Sequence, residues 1–206
     1  MTRFLVPLSD YNRIHQVAHG VAKAFGGAEK GCVFFAICGA YILEKHYRIA
    51  ARPVAGGFAL QISDAEIAFF GEDRGDHIVT SADGFHMWVQ TETHVIDFMA
   101  PIFTETFAER QITVPRRMFQ RPINSEASSL ASLDKTGDFF TFGDAELTHT
   151  LLLNFLSRPG RGDLVEVVDT WFGSRRKPQK KTIQMGDDGG EIYNLSLAST
   201  AATGAW

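Results

Sequence analysis

Cys32-Val33-Phe34-Phe35-Ala36-Ile37-Cys38-Gly39-Ala40-Tyr41-Ile42-Leu43 is an almost uninterrupted apolar run that turns polar only at Glu44-Lys45-His46. With no proline and apolar side chains on nearly every side, it predicts a helix enclosed by other elements, the central helix of the fold. Upstream, Ile14, Val17, Val21 and Ala24 recur at helical spacing over roughly residues 10 to 25, with Ser9 as the expected cap and Gly26-Gly27 as the stop. Glu29-Lys30-Gly31 then leads into the central helix. Downstream the period changes. Short β-branched or aromatic runs (51 to 62, 66 to 70, 77 to 80, 85 to 91 and 94 to 98) alternate with turn clusters such as Gly56-Gly57, 72 to 76 and Asp83-Gly84. That alternation predicts an antiparallel sheet against the helix.

After Pro101 the chain is less regular, with Pro115, Pro122 and a polar stretch from Asn124 to Gly137 that reads as a long surface loop. Helix returns at Asp144 to Leu156, with Asp144 as cap, and near Leu164 to Phe172. Arg161-Gly162-Asp163, beside Pro159-Gly160, reads as a turn. Gly186 to Gly190 lacks the ligand spacing of a calcium loop and fits a hairpin turn between 182 to 185 and 191 to 195. The expected architecture is therefore α+β: a central Cys-bearing helix packed on an antiparallel sheet, with extra C-terminal helices and a hairpin. One domain spans residues 1–206, with a core of about 9–100 and an elaboration over about 101–206.

The chain has 206 residues, 45% hydrophobic and 12% aromatic, enough for one sizeable core. A net charge of −4 gives no general attraction to nucleic acid or to anionic membranes, so neither is an expected partner. Its 17 Phe residues are not interleaved with basic ones, which suits a core better than a base-stacking surface. The basic run Ser174 to Lys181 reads as a solvated loop in an acidic chain. The N-terminal apolar run is too short for a signal segment, and nowhere do 18 apolar residues run together, so the expected location is cytoplasmic. Cys32 and Cys38 are the two cysteines. On one helix they would stand roughly 9 Å apart along the axis and about 120° apart around it, which excludes a disulfide between them.

Chemistry concentrates on Cys32. A thiol at the first turn of a helix meets unpaired backbone N–H groups and the positive end of the dipole, which favour a thiolate. The alternative is that Cys32 is one more buried small residue. Its candidate partners lie on two strands, His86-Met87-Trp88-Val89 and Val95-Ile96-Asp97. If Glu92-Thr93 is a two-residue turn, Thr91 opposes His94 and Trp88 opposes Asp97. His86 and Asp97 are then diagonal neighbours on one face, within hydrogen-bonding reach. Trp88 shares that face and is expected to cover the contact. A three-residue turn would move Asp97 to the other face.

Gly31 to Leu43, Ala51-Arg52-Pro53-Val54-Ala55-Gly56-Gly57, His86-Met87-Trp88-Val89 and Val95-Ile96-Asp97 together resemble the core of transglutaminase-like and papain-like cysteine enzymes, in an uncharacterised bacterial branch. The resemblance covers about residues 30 to 100 and rests on the order and spacing of the segments. It implies a papain-like or transglutaminase-like core with a Cys32, His86, Asp97 triad. The activity it implies is that of a cysteine hydrolase or acyltransferase acting through a thioester on a peptide, amide or thioester substrate, without a cofactor. Oxyanion charge would need donors such as the Cys32 backbone N–H, with Gln16 or Asn12 as candidates for a second. The chain departs from the family pattern at Tyr47 to Arg52, which lacks the usual Gly-Ile-Pro, and at Gln90, where an acidic residue is common.

Two other functional readings stand beside this one. The first is a noncatalytic binding domain on the same fold, with Cys32 as a residual thiol. The second is a metal site at His15 and His19, spaced i and i+4 as in zinc proteases, though Gln16 fills the slot where that motif needs Glu.

Overall fold

A computed structural model of the chain describes residues 4–28, 31–74, 78–81, 84–173 and 177–206. The expectations resting on Glu29-Lys30, Gly75-Asp76-His77, Asp83 and Ser174 to Arg176 lie outside the described residues. Helix α1 (Leu8–Ala24) leads to α2 (Cys32–Ile42), which ends in a wider π turn (Leu43–Tyr47). A long strand follows, β1 (Ala51–Ser63), then β2 (Glu66–Phe70), the small pair β3 (Glu72–Asp73) and β4 (Ile78–Val79), β5 (His86–Thr91) and β6 (His94–Asp97). Beyond these come short helical turns that include α3 (Phe103–Thr106), then β7 (Phe119–Pro122), β8 (Phe139–Gly143), α4 (Ala145–Leu156), α5 (Arg161–Phe172) and the hairpin β9 (Thr182–Gly186) and β10 (Ile192–Ser196).

Six strands form a curled antiparallel sheet in the order β2-β1-β5-β6-β7, with β8 also on β1. Val89 pairs with Ile96 and Gln90 with Val95, the register required by a two-residue turn at Glu92-Thr93. The turn is tied by Thr91, whose Oγ1 accepts from the backbone N–H groups of His94 at 2.9 Å and Thr93 at 3.3 Å. Gly56 pairs with both His86 and Gly143. A Cβ there would come within 1.9 Å of the Phe142 carbonyl oxygen, so only glycine lets β8 close on β1 opposite the histidine.

The central helix lies against β1, β5 and α1. Eight of its eleven residues are buried, as an all-round apolar helix requires. Gly39 sets how closely α2 approaches the sheet, because a Cβ at that position would stand 2.3 Å from the Phe98 ring. The C-terminal elements complete the same core rather than forming an appendage: Phe139, Val168, Phe172 and Leu195 belong to one buried cluster with Ile14, Phe35 and Trp88. No helix among the described residues is long and apolar enough to cross a membrane.

Two local expectations are corrected. Ser9 does not cap α1. The helix starts at Leu8, and the Pro7 carbonyl accepts from Asp10 and Tyr11 N–H at 3.0 and 2.9 Å, because proline's fixed φ suits the position before the first turn. Arg161-Gly162-Asp163 is the first turn of α5, where Gly160, with φ of 76°, supplies the sharp entry and Asp163 complements the helix dipole. Asp144 does cap α4, accepting from Leu147 N–H at 2.9 Å.

Candidate active site

Cys32 is the first residue of α2. The glycine before it offers no side-chain cap, and the first turn carries no acidic residue. The positive helix end is therefore uncompensated by any carboxylate of its own turn. The residue is 8% exposed.

His86 and Asp97 project from adjacent strands on one face, and His86 Nε2–H donates to Asp97 Oδ2 at 2.7 Å. Both residues are only 1% exposed. The other carboxylate oxygen accepts from Met99 N–H at 2.8 Å, so the buried acceptor is satisfied on both sides. Burial pulls the His86 ring down. The charge and hydrogen bond of Asp97, with a smaller share from Cys32, outweigh it and hold the ring up at about 9 rather than 6.5. Nδ1 has no hydrogen-bond partner of ordinary geometry among the described residues. With Nε2 taken by Asp97, Nδ1 is the ring nitrogen that stays open, and Cys32 is close enough to add to the upward shift of the ring.

Helix α1 fixes the far end of this pair. Tyr11 and His15, one turn apart, are both fully buried. The Tyr11 hydroxyl donates to the Asp97 carbonyl oxygen and accepts from Phe119 N–H. His15 Nδ1–H donates to the Phe98 carbonyl at 2.8 Å. Burial, with His19 and Arg116 adding repulsion against the Phe98 bond, drives His15 down to about 3, so it works as a neutral donor. Helix α1 thus holds the backbone carbonyls of Asp97 and Phe98, while Met99 N–H and His86 hold the carboxylate.

The aromatic cover differs from the expected one. Trp88 is buried, but the ring stacked on His86 is Phe70, with centroids 4.3 Å apart and planes at 28°. Phe58 and Phe103 close in at 5.2 and 5.4 Å. Trp88 packs behind, 6.1 Å from Phe58. Phe70 reaches the ring because β2 and β5 both pair with β1, a long-range arrangement that no local spacing signals. The oxyanion role considered for Asn12 and Gln16 does not fit their contacts. Asn12 exchanges hydrogen bonds with the backbone of Ala202 at 2.9 and 2.7 Å, and Gln16 Nε2–H donates to Ala198 O at 3.0 Å. They share the face of α1 that meets the C-terminal segment, whereas Tyr11 and His15 share the face that meets Asp97.

For the metal reading, the His15 and His19 rings lie 5.3 Å apart, but His15 Nδ1 is committed to Phe98. Among the described residues no three His, Cys, Asp or Glu groups gather in a way that could hold a metal ion.

Fold and site together define an α+β protein in which a cysteine at a helix N-terminus meets a buried, strand-borne His–Asp pair. The chain belongs to a family described as a protein of unknown function, DUF2026, whose profile matches residues 7–206. It is similar to a solved structure, "The crystal structure of genomics APC5867", with 29% identity and a TM-score of 0.89, covering 100% of this chain and 99% of that one. No curated protein matches it.

Proposed function

We propose that the protein is a cysteine hydrolase or acyltransferase in which Cys32 is the nucleophile, His86 the acid–base group and Asp97 its orienter. The observation that carries this is the 2.7 Å His86–Asp97 bond on a buried ring whose other nitrogen has no hydrogen-bond partner among the described residues and whose protonated form Cys32 helps to favour. The order of the segments resembles transglutaminase-like and papain-like enzymes, and that resemblance supports the same assignment. The Cys32 thiolate attacks the carbonyl carbon of a peptide, amide or thioester, and the imidazolium of His86 protonates the departing amine or thiol. A thioester remains on Cys32. Neutral His86 then takes a proton from water or an acceptor amine as it attacks, and the thiolate leaves. Backbone N–H groups at the start of α2 face the developing oxyanion charge. Both cysteines are free, which suits a reducing compartment, and the cytoplasm is the location this reading takes.

Cys38 is a control within the same helix: it is fully buried, and burial pushes its thiol well up. Iodoacetamide followed by mass mapping of the two cysteines should label Cys32 at neutral pH while Cys38 stays unmodified. His86→Ala should suppress that labelling. Equal labelling of both, or labelling of Cys32 that His86→Ala leaves unchanged, would refute catalysis. The near-complete burial of the His–Asp pair specifically favours the second reading, a binding domain that keeps the fold without the reaction, and such a domain predicts that refuting result.

A further inference from the structure

A cavity of about 250 Å³ opens where the C-terminal end of α1 and its glycine turn meet the start of α2 and the corner between α4 and α5. Phe25, Phe34, Phe155 and Leu164 give it apolar walls, and Arg158 and Arg161 belong to its lining. Among the described residues the lining contains no carboxylate. Among the described residues neither guanidinium has an ion-pair partner. On α2 the lining residues Val33 and Phe34 stand roughly 100° and 200° around the axis from Cys32, so the cavity opens on the flank turned away from the thiol.

Two unneutralised guanidiniums beside an apolar hollow, in a chain of net charge −4, are complementary to one kind of small molecule. We propose that this cavity binds a short amphipathic carboxylate, its apolar chain against Phe34 and Phe155 and its head group on Arg158 and Arg161. Arginine's planar fork suits a carboxylate. The volume lies just under the ~300 Å³ lower bound of drug-sized sites, which favours a short acid over a long-chain lipid.

The test is calorimetric titration of the Cys32→Ser protein with octanoate, octanol and octylamine. Removing the nucleophile makes the outcome independent of whether the triad is catalytic. Octanoate is expected to bind at least about tenfold tighter than octanol, with octylamine weaker still. Arg158 is exposed and Arg161 partly so, so the Arg158→Gln, Arg161→Gln double variant should fold normally. It should lose about tenfold in octanoate affinity and keep its octanol affinity. Leu151→Trp, which fills the hollow from a half-buried position, should abolish binding of all three probes. The proposal is overturned if octanoate binds no better than octanol, if the double variant binds octanoate like the parent, or if octanoate gives no binding heat at millimolar concentration.

Discussion

Replacing Asp97 by Asn keeps the shape of the side chain and removes the charge that faces His86. In the native protein the ring is held at about 9 against 6.5 because Asp97 outweighs burial. At about 1.36 kcal/mol per pKa unit, that difference favours the protonated folded state by on the order of 3 kcal/mol. Since the folded value lies above the unfolded one, this stabilisation is fully present below about pH 6.5 and is lost as the pH climbs through about 9. In Asp97→Asn the burial remains without its counterweight. His15 shows where that leads, since a fully buried imidazole bonded only to a backbone carbonyl falls to about 3. The His86 midpoint should therefore drop below 6.5, turning the ring from cationic to neutral near physiological pH. Titration of the histidine Cε1–H signals by NMR reads the midpoint directly, and urea denaturation at about pH 6 and about pH 9 reads the linked stability. The parent should lose on the order of 3 kcal/mol between those conditions and the variant should not. A variant midpoint still above about 8 would refute the claim that Asp97 sets the protonation of His86.

His15 should act at the other end of the pH scale. Its folded pKa of about 3 lies below 6.5, so the stability it contributes is present above about pH 6.5 and falls away as the pH drops toward 3. His15→Gln, which keeps a donor for Phe98, should flatten the acid limb of a urea-midpoint profile. Gly39→Ala should lower the melting temperature, because overpacking against the Phe98 ring costs about 1–3 kcal/mol and outweighs the helix-propensity gain of about 1 kcal/mol. Tyr11→Phe leaves the Asp97 carbonyl and the Phe119 N–H without their shared hydroxyl, which should cost about 1–3 kcal/mol by chemical denaturation.

Much of this arrangement is legible in local pattern. The β5–β6 register follows from one assumption about Glu92-Thr93, because parity in a hairpin leaves little freedom once the turn length is set. The Asp144 cap and the apolar central helix are equally local. What escapes the sequence depends on distant pairings. Phe70 covers His86 because β1 is long enough to carry both β2 and β5, and no spacing within either strand records that. Asn12 and Gln16 are committed to residues more than 180 positions away. The Tyr11–His15 spacing does carry a signal, two polar rings one turn apart on an apolar helix face, but the carbonyls that receive them lie on another element.

Those long-range ties of α1 have a consequence for the order in which the molecule is made. The helix that steadies Asp97 is itself held by Ala198 and Ala202, so during synthesis Asn12 and Gln16 wait for residues 198 to 202 before their side chains are satisfied. N-terminal regions often fold first on the ribosome. Here α1 is completed by residues made long after Asp97, and a nascent chain that has passed β6 holds Cys32, His86 and Asp97 before those supports of α1 exist. The sequence order thus defers that support of the site until residues 198 to 202 have been translated.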